Sequence, residues 1–225
     1  MINYSLTRSK RKTIAIHVQD GSVSVRAPKR APQADIDRFV AIKEKWIIEK
    51  LSMQNDTKKK RDRFKLDYNS VIPYRGEQYP IVEWKIHKIG FFNGERFLIP
   101  PVQTPEQIKR HCINIYKGLA KSVIEERMCI YIKRMVVLPI NVRITNAKKR
   151  WGSCTSDGKI NIAWRLIMTD DDVIDYVIVH ELAHLIEMNH SARFWNIVGG
   201  VLPDYKTRRA KLKEFQNKLI NENWD

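Results

Sequence analysis

Apolar and polar residues alternate in several short stretches of the first hundred positions, which predicts β-strands. Residues 13–18 and 22–26 alternate on either side of Asp20-Gly21, a pair typical of a tight hairpin turn. Two later pairs of apolar runs repeat this arrangement around Arg75-Gly76 and Asn93-Gly94. We therefore predict three hairpins that form a small antiparallel β region.

The residues after the first hairpin change to a helical period. Their apolar positions predict one helix over residues 34–54, whose apolar side packs on the sheet. Residues 55–65 are highly charged and lack any apolar period, which predicts an exposed and mobile connector. His17 and His87 fall in runs that resemble strands, and we interpret both as ordinary strand residues.

A second region begins after Pro100-Pro101. Thr104 and Gln107 form a capping-box pattern at the start of a long helix that extends to about Met135. Strands are predicted over residues 138–145 and 159–164. The sequence thus predicts an α+β protein with an N-terminal β-rich domain over residues 1–100 and a second domain over residues 101–225.

An almost entirely apolar run, residues 173–179, precedes the most informative stretch of the chain. Such a run is typical of a helix that is buried inside a domain, and Thr169 is a candidate cap for it, with Asp172 at the capping-box position. The run leads directly into His180-Glu181-Leu182-Ala183-His184. Polar side chains in a buried helix are costly unless they are satisfied, so a function is expected for them.

The spacing of His180 and His184 has a mechanical meaning. Residues four apart lie one turn apart on the same face of a helix, so both imidazoles can reach one cation. Glu181 then lies beside that face, where it can hold a water without binding the metal. His190 follows six residues after the motif and is the candidate third ligand, with Glu187 as its rival. Three protein ligands and an open fourth position describe a catalytic zinc site.

The same residues also fit two roles without catalysis. The histidines could be satisfied core residues, or they could hold a purely structural zinc ion in a basic protein that binds nucleic acid. Cys154 is a candidate inhibitory fourth ligand, and a poor nucleophile because no separate histidine is committed to activating it.

The stretch from His180 to His184, with Asn189-His190-Ser191 and Phe194-Trp195 after it, resembles the YgjP-like metallopeptidases. These are bacterial zincins related to the SprT-like and WLM groups. The segments 149–154 and 161–166 resemble the second signature of that family. The resemblance implies a zincin-like catalytic domain, Zn²⁺ bound by His180, His184 and His190, and Glu181 as the general base.

Three further residues are predicted to contact the substrate. Arg150 could bind a carboxylate, and Trp151 could line the cleft beside it or simply fill the core. Tyr205 could reach the oxyanion of the transition state, although core packing is the preferred interpretation of this residue. The strands before the helix that carries His180 and His184 are also expected to present an edge to an extended polypeptide substrate.

The net charge of +16 is the unusual bulk property of this chain. It predicts attraction to polyanions, so nucleic acid is a possible partner, and a DNA-associated, SprT-like protease is a further alternative. No apolar window is long enough to span a membrane, and no secretory signal is expected at the N-terminus. The three cysteines are odd in number and lack metal-type spacing, which favours reduced thiols and a cytoplasmic location.

Overall fold

The computed structural model describes residues 2–86, 88–102 and 104–224, so His87 lies outside the described residues. The chain divides into two compact units. The smaller unit comprises residues 2–64 with 220–223, and the larger unit comprises residues 65–219 with Trp224. The predicted boundary near residue 100 falls inside the larger unit. The second and third predicted hairpins therefore belong to the unit that carries His180.

The smaller unit contains a three-stranded sheet in the order β1-β3-β2. Its strands are β1 (Ser5–Ser9), β2 (Ala15–Gln19) and β3 (Ser22–Pro28). The antiparallel β2–β3 hairpin confirms the first predicted turn. However, β1 pairs with β3 in parallel, so the prediction of a purely antiparallel region is wrong. A parallel partner is distant in sequence and leaves no turn signal between the strands.

Two helices follow this sheet, where the sequence predicts one. They are α1 (Gln33–Ile42) and α2 (Glu44–Arg63), and the helix breaks at Lys43, where ψ is 4°. The charged stretch predicted as a connector is the second half of α2. Lysine and arginine are good helix formers, and Lys60, Arg61 and Arg63 in the last turn favour the negative end of the helix dipole.

The core of the smaller unit lies between this sheet and its helices. One face of β3 is buried against apolar residues of α1 and α2: Val23, Val25 and Ala27 on the strand, and Ile36, Val40 and Ile47 on the helices. This is the predicted packing face, with the alternation of β3 and the helical period meeting as expected.

The larger unit begins with a four-stranded sheet in the order β4-β5-β7-β6. Its strands are β4 (Val71–Tyr74), β5 (Glu77–Glu83), β6 (Phe91–Phe92) and β7 (Phe97–Ile99). The pairs β4–β5 and β6–β7 are antiparallel, which confirms both predicted hairpins. The pair β5–β7 is parallel and has no counterpart in the prediction.

A long helix, α3 (Pro105–Met135), packs against the helix that carries His180. The Thr104 side chain accepts a hydrogen bond from the backbone N–H of Gln107, and the Gln107 side chain accepts one from the N–H of Thr104, as the capping box predicts. The helix ends at Met135, as expected. The hydroxyl of Tyr116 donates to the carbonyl of Pro73 at 2.6 Å, which joins α3 to β4.

A second sheet of the larger unit has the order β8-β10-β9. The strands β8 (Asn141–Thr145) and β10 (Lys159–Ala163) agree with the prediction and pair in parallel. The strand β9 (Gly152–Cys154) pairs antiparallel with β10. The sequence predicts no strand over these three residues. Three residues are too few to show an alternation.

Three helices complete the larger unit: α4 (Asp171–Ala183), α5 (Ala192–Val201) and α6 (Tyr205–Leu219). The expected cap of α4 by Thr169 is wrong, because Asp170 holds the N-cap position and the Thr169 hydroxyl donates to the carbonyl of Leu166. As predicted, α4 is buried on nearly all sides. Among the described helices, none is both long and apolar enough to cross a membrane.

Ion pairs fix the N-terminal end of α4 from several sides. The guanidinium of Arg75 donates two hydrogen bonds to Asp171, and Arg127 of α3 donates to the same carboxylate. Arg208 of α6 lies 3.9 Å from Asp175 and donates to the backbone carbonyl of Asp172. The Arg75 hydrogen bonds hold the pKa of Asp171 below its usual range. These contacts set the position of α4 before its functional residues begin.

The turn between β4 and β5 gives a prediction for stability. Gly76 has a φ of +85°, and a Cβ added there would lie 2.2 Å from a carboxylate oxygen of Asp170 and 3.3 Å from its Cα. We expect Gly76→Ala to lower the free energy of unfolding by about 2 kcal/mol or more, since it combines left-handed strain with a clash. Urea denaturation of the full chain measures the change.

Gly158→Ala is the matched control for this substitution. Gly158 has a similar φ of +78°, but the nearest atoms to an added Cβ are 3.6 Å away. It should therefore lose only about 1 kcal/mol, from backbone strain alone. Equal losses of unfolding free energy in the two variants would show that the close contact between Asp170 and the turn does not add to the effect of backbone strain.

Candidate metal centre

Three imidazole rings meet at the C-terminal end of α4. The candidate ligand atoms of His180, His184 and His190 all lie within 4.8 Å of one another. The Nε2 atoms of His180 and His190 are 3.0 Å apart. Ring centroids are separated by 4.8 to 4.9 Å in each of the three pairs. This arrangement presents several nitrogen lone pairs to one small volume, as a metal ion requires.

Local structure explains how the third histidine reaches the other two. The helix α4 ends at Ala183, and a turn returns the chain so that Ser191 caps α5 by accepting from the N–H of Phe194. The Phe194 ring is fully buried and lies 4.8 Å from the ring of His190. Trp195 stacks on His190 at 5.7 Å. Both aromatic residues therefore contact His190 in the turn that carries it.

One of the two ring nitrogens of His184 contacts the backbone. Its Nδ1 lies 3.2 Å from the carbonyl oxygen of Glu187, a contact that orients the ring and leaves Nε2 for a metal. Glu187, the rival third ligand, directs its side chain elsewhere. Its carboxylate accepts a hydrogen bond from the N–H of Asn189 and lies 4.0 Å from Arg193. It is not a member of the metal-binding group in the described chain.

Burial favours the neutral form of His180 and His184. Together with the nearby His184, His190 and Arg209, it lowers the pKa of His180 to about 3. Burial also lowers the pKa of His184, against a hydrogen bond from its ring to the backbone carbonyl of Glu187 that raises it. A neutral imidazole keeps the lone pair that a metal needs. The donor set therefore fits a borderline-soft ion such as Zn²⁺.

The side chain of Glu181 is buried beside the three histidines. It is 5 % exposed, and burial raises its pKa to about 7, an effect that the positive charge of Arg150 opposes. The residue directly against it is Gly152 of β9. A Cβ added to Gly152 would lie 2.4 Å from a carboxylate oxygen of Glu181 and 2.6 Å from its Cγ. This close approach requires a glycine.

The remaining predicted site residues occupy different surroundings. Arg150 is exposed, and its charge acts on Glu181. Trp151 is half-buried, with its ring 6.0 Å from that of Phe215 in α6. Tyr205 stacks on Trp195 at 5.3 Å with an interplanar angle of 15°. Trp151 and Tyr205 thus make packing contacts with aromatic rings, whereas the positive charge of Arg150 acts on Glu181.

Cys154 has the properties of an ordinary thiol. Burial raises its pKa, and the charges of Glu181 and Asp157 raise it further. Its Sγ is not part of the three-histidine group in the described part of the chain. Neither the role of nucleophile nor that of inhibitory ligand gains support from this position.

Two residues near the site do not stand out in the sequence. Tyr176 lies one turn before His180 on α4, with the two rings 5.9 Å apart. Arg209 of α6 lies with its guanidinium carbon 5.3 Å from the centre of the Trp195 ring. The i,i+4 spacing of Tyr176 and His180 could have indicated the first. The second depends on the packing of α6 against α4 and has no signal in the sequence.

The buried helix with two histidines and a glutamate, and the third histidine returned to it, define a metal-binding site of the HExxH class. The model of one protein family, described as the YgjP-like metallopeptidase domain, matches residues 12–215. The chain belongs to this family and is a metallopeptidase.

Two solved structures are also similar to part of the chain. The metallopeptidase zymogen abylysin of Pyrococcus abyssi is 23 % identical, with a TM-score of 0.38 over 44 % of this chain and 97 % of that one. The metallopeptidase zymogen jannalysin of Methanocaldococcus jannaschii is 20 % identical, with a TM-score of 0.35 over 44 % and 95 % of the two chains. No curated protein matches this chain.

Metal binding by variants distinguishes the two candidates for the third ligand. We expect His190→Ala to weaken metal binding at least tenfold, because one of three nitrogen donors is lost. Glu187→Gln should bind metal as the unaltered protein does, since its side chain points to Asn189. Titration of the metal-free proteins with Zn²⁺ against a chromophoric chelator measures both affinities. The opposite ranking would transfer the ligand role to Glu187.

Proposed function

We propose that this metallopeptidase uses zinc, held by His180, His184 and His190. The observation that carries the proposal is the meeting of three imidazoles, with their candidate ligand atoms all within 4.8 Å of one another, next to the buried carboxyl of Glu181. Neutral nitrogen donors suit zinc better than they suit magnesium or calcium. The side chain of His190 is exposed to solvent, which favours an accessible catalytic site over a closed structural one.

Glu181 is the proposed general base. Zinc, when bound, lowers the pKa of a coordinated water from about 15.7 toward 7. Glu181 takes the proton from the attacking water and then delivers it to the leaving amine, so one carboxyl performs both transfers. Its buried position supports this assignment, since burial brings its pKa to about 7, close to the pH at which it must both accept and release a proton.

The substrate is proposed to bind in extended form along β9. Ser153 pairs with Asn161, Trp151 accepts from the N–H of Ala163, and the N–H of Thr155 donates to Lys159. The polar backbone groups of the two alternate residues, Gly152 and Cys154, therefore point away from β10. β9 is the outer strand of its sheet. A peptide paired with this edge would pass next to Glu181, because Gly152 directly contacts that side chain.

Several assignments from the sequence stay predictions. Contacts of Arg150, Trp151 and Tyr205 with the substrate are among them, and so is a cytoplasmic location. Binding to nucleic acid, in a protein with structural zinc or in a DNA-associated protease, rests on the net charge of +16.

Glu181→Gln separates catalysis from metal binding. We expect the variant to retain one bound zinc ion, because the three histidines are untouched, and to lose at least a hundredfold in turnover. Mass spectrometry of the metal and the release of new amino termini from an unfolded protein substrate provide the two measurements. Glu187→Gln is the control and should keep both properties. Full turnover in Glu181→Gln would remove the general-base role.

Gly152→Ala tests the contact between β9 and the general base. The added methyl group must displace the Cγ and carboxyl of Glu181, so we expect turnover to fall at least tenfold while zinc is retained. Ser153→Ala, in the same strand, adds no atoms near Glu181 and should stay within about twofold of the unaltered enzyme. Normal turnover in Gly152→Ala would show that the position of Glu181 is not critical.

A further inference from the structure

The helix α6 has two charged faces that differ in their partners. On one face, Arg208 lies 2.9 Å from Asp204 and 3.9 Å from Asp175, and Lys211 lies 2.7 Å from Asp172. These ion pairs join α6 to the start of α4. The cations of this face are therefore compensated, and their role is structural.

The other face carries Lys206, Arg209 and Lys213. Among the described residues, none of these three cations has a carboxylate within ion-pair distance or a hydrogen bond from its side chain. Their spacing of three and four residues places them on one side of the helix. Three neighbouring cations repel one another unless an anion lies among them, so this face differs from the general solvated surface of the protein.

This face lines a cavity of about 620 Å³. Tyr176 and Leu212 contribute apolar surface to its lining, and Gln216 contributes a further polar side chain. No carboxylate of the described chain lines the cavity. A volume of this size accommodates a few peptide side chains, and its composition combines apolar contact with positive charge.

The cavity lies next to the metal centre. Tyr176 lines it and is one helical turn from His180, with the two rings 5.9 Å apart. Arg209 lines it as well, over the ring of Trp195, which in turn stacks on His190. The distance from the reacting centre to the cavity is thus on the order of one to three residues of an extended peptide, at about 3.3 Å for each residue.

We propose that this cavity selects the substrate, by binding a carboxylate of the peptide to Lys206, Arg209 and Lys213 within about three residues of the cleaved bond. The inference rests on the proposed peptidase function and adds the chemical class of the substrate. The carboxylate can belong to an Asp or Glu side chain or to the C-terminus of the peptide. Both present the same charged oxygens to the lysines and to the fork of the arginine.

Peptides that differ by a single charge test this proposal. Cleavage sites are first mapped by mass spectrometry in a mixture of unstructured peptides. One cleaved sequence is then made with Glu or Gln at each of the three positions on either side of the bond, with an amidated C-terminus. A further version has Gln at these positions and a free C-terminus. We expect one charged version to be cleaved with a kcat/KM about tenfold higher, mainly through KM. The version whose kcat/KM rises shows whether the carboxylate belongs to a side chain or to the C-terminus of the peptide.

Two double variants locate the effect. Lys206→Gln/Lys213→Gln should reduce the preference to within twofold, while Lys121→Gln/Lys133→Gln removes the same number of charges from exposed positions of α3 and should keep it. Arg209 stays unaltered because it packs against Trp195. The inference fails if the unaltered enzyme shows no preference for charge, or if both double variants retain the preference equally.

Calorimetry with Glu181→Gln keeps the inference separate from the catalytic proposal. The charged peptide should bind this variant about tenfold more tightly than its neutral partner, and the Lys206→Gln/Lys213→Gln substitutions should abolish the difference. This result, combined with cleavage by the unaltered protein that does not depend on zinc, would leave the anion site standing and end the proposed zinc mechanism. A single-stranded oligonucleotide could also compete with the charged peptide for this cavity. If it displaces the bound peptide at a lower concentration than an unlabelled copy of the same peptide does, the cavity is assigned to nucleic acid and the inference is overturned.

Discussion

Burial of α4 is the constraint on which the rest of the larger unit depends. Every residue from Val173 to Val179 is buried, as are Glu181 and His184, so the helix places polar groups inside a core. Desolvation lowers the pKa of His180 and of His184 and raises the pKa of Glu181 to about 7. The same apolar packing thus holds the helix and favours protonation states that suit a metallopeptidase.

A helix buried in this way must be held in register by its neighbours, and two different contacts do so. At its start, Asp171 receives hydrogen bonds from Arg75 and Arg127, which come from distant parts of the chain. Near its end, the backbone of Gly152 lies directly against Glu181. The first contact is ionic and partly exposed, whereas the second is steric. Steric contact in a packed interior is the more exact of the two, because a shift of less than 1 Å is resisted.

The sequence predicts those parts of the fold that local chemistry determines. Hairpin turns, the capping box at Thr104 and the apolar period of α3 need only neighbouring residues, and the structure agrees with them. The break at Lys43, the strand β9 and the parallel strand pairs depend on contacts between distant segments. The spacing of His180 and His184 indicates a shared site, but nothing in the sequence relates Gly152 or the face of α6 to it.

The contrast between the two faces of α6 indicates how stability and specificity can be separated within one helix. Ion pairs of Arg208 and Lys211 with aspartates fix the helix against α4, so that face is committed to the fold. Because the helix is already fixed, the backbone of Lys206 and Lys213 is held in place, and neither side chain has a charged partner in the described chain. Only the side chains remain to be ordered when an anion arrives, and this makes the uncompensated face suited to recognition.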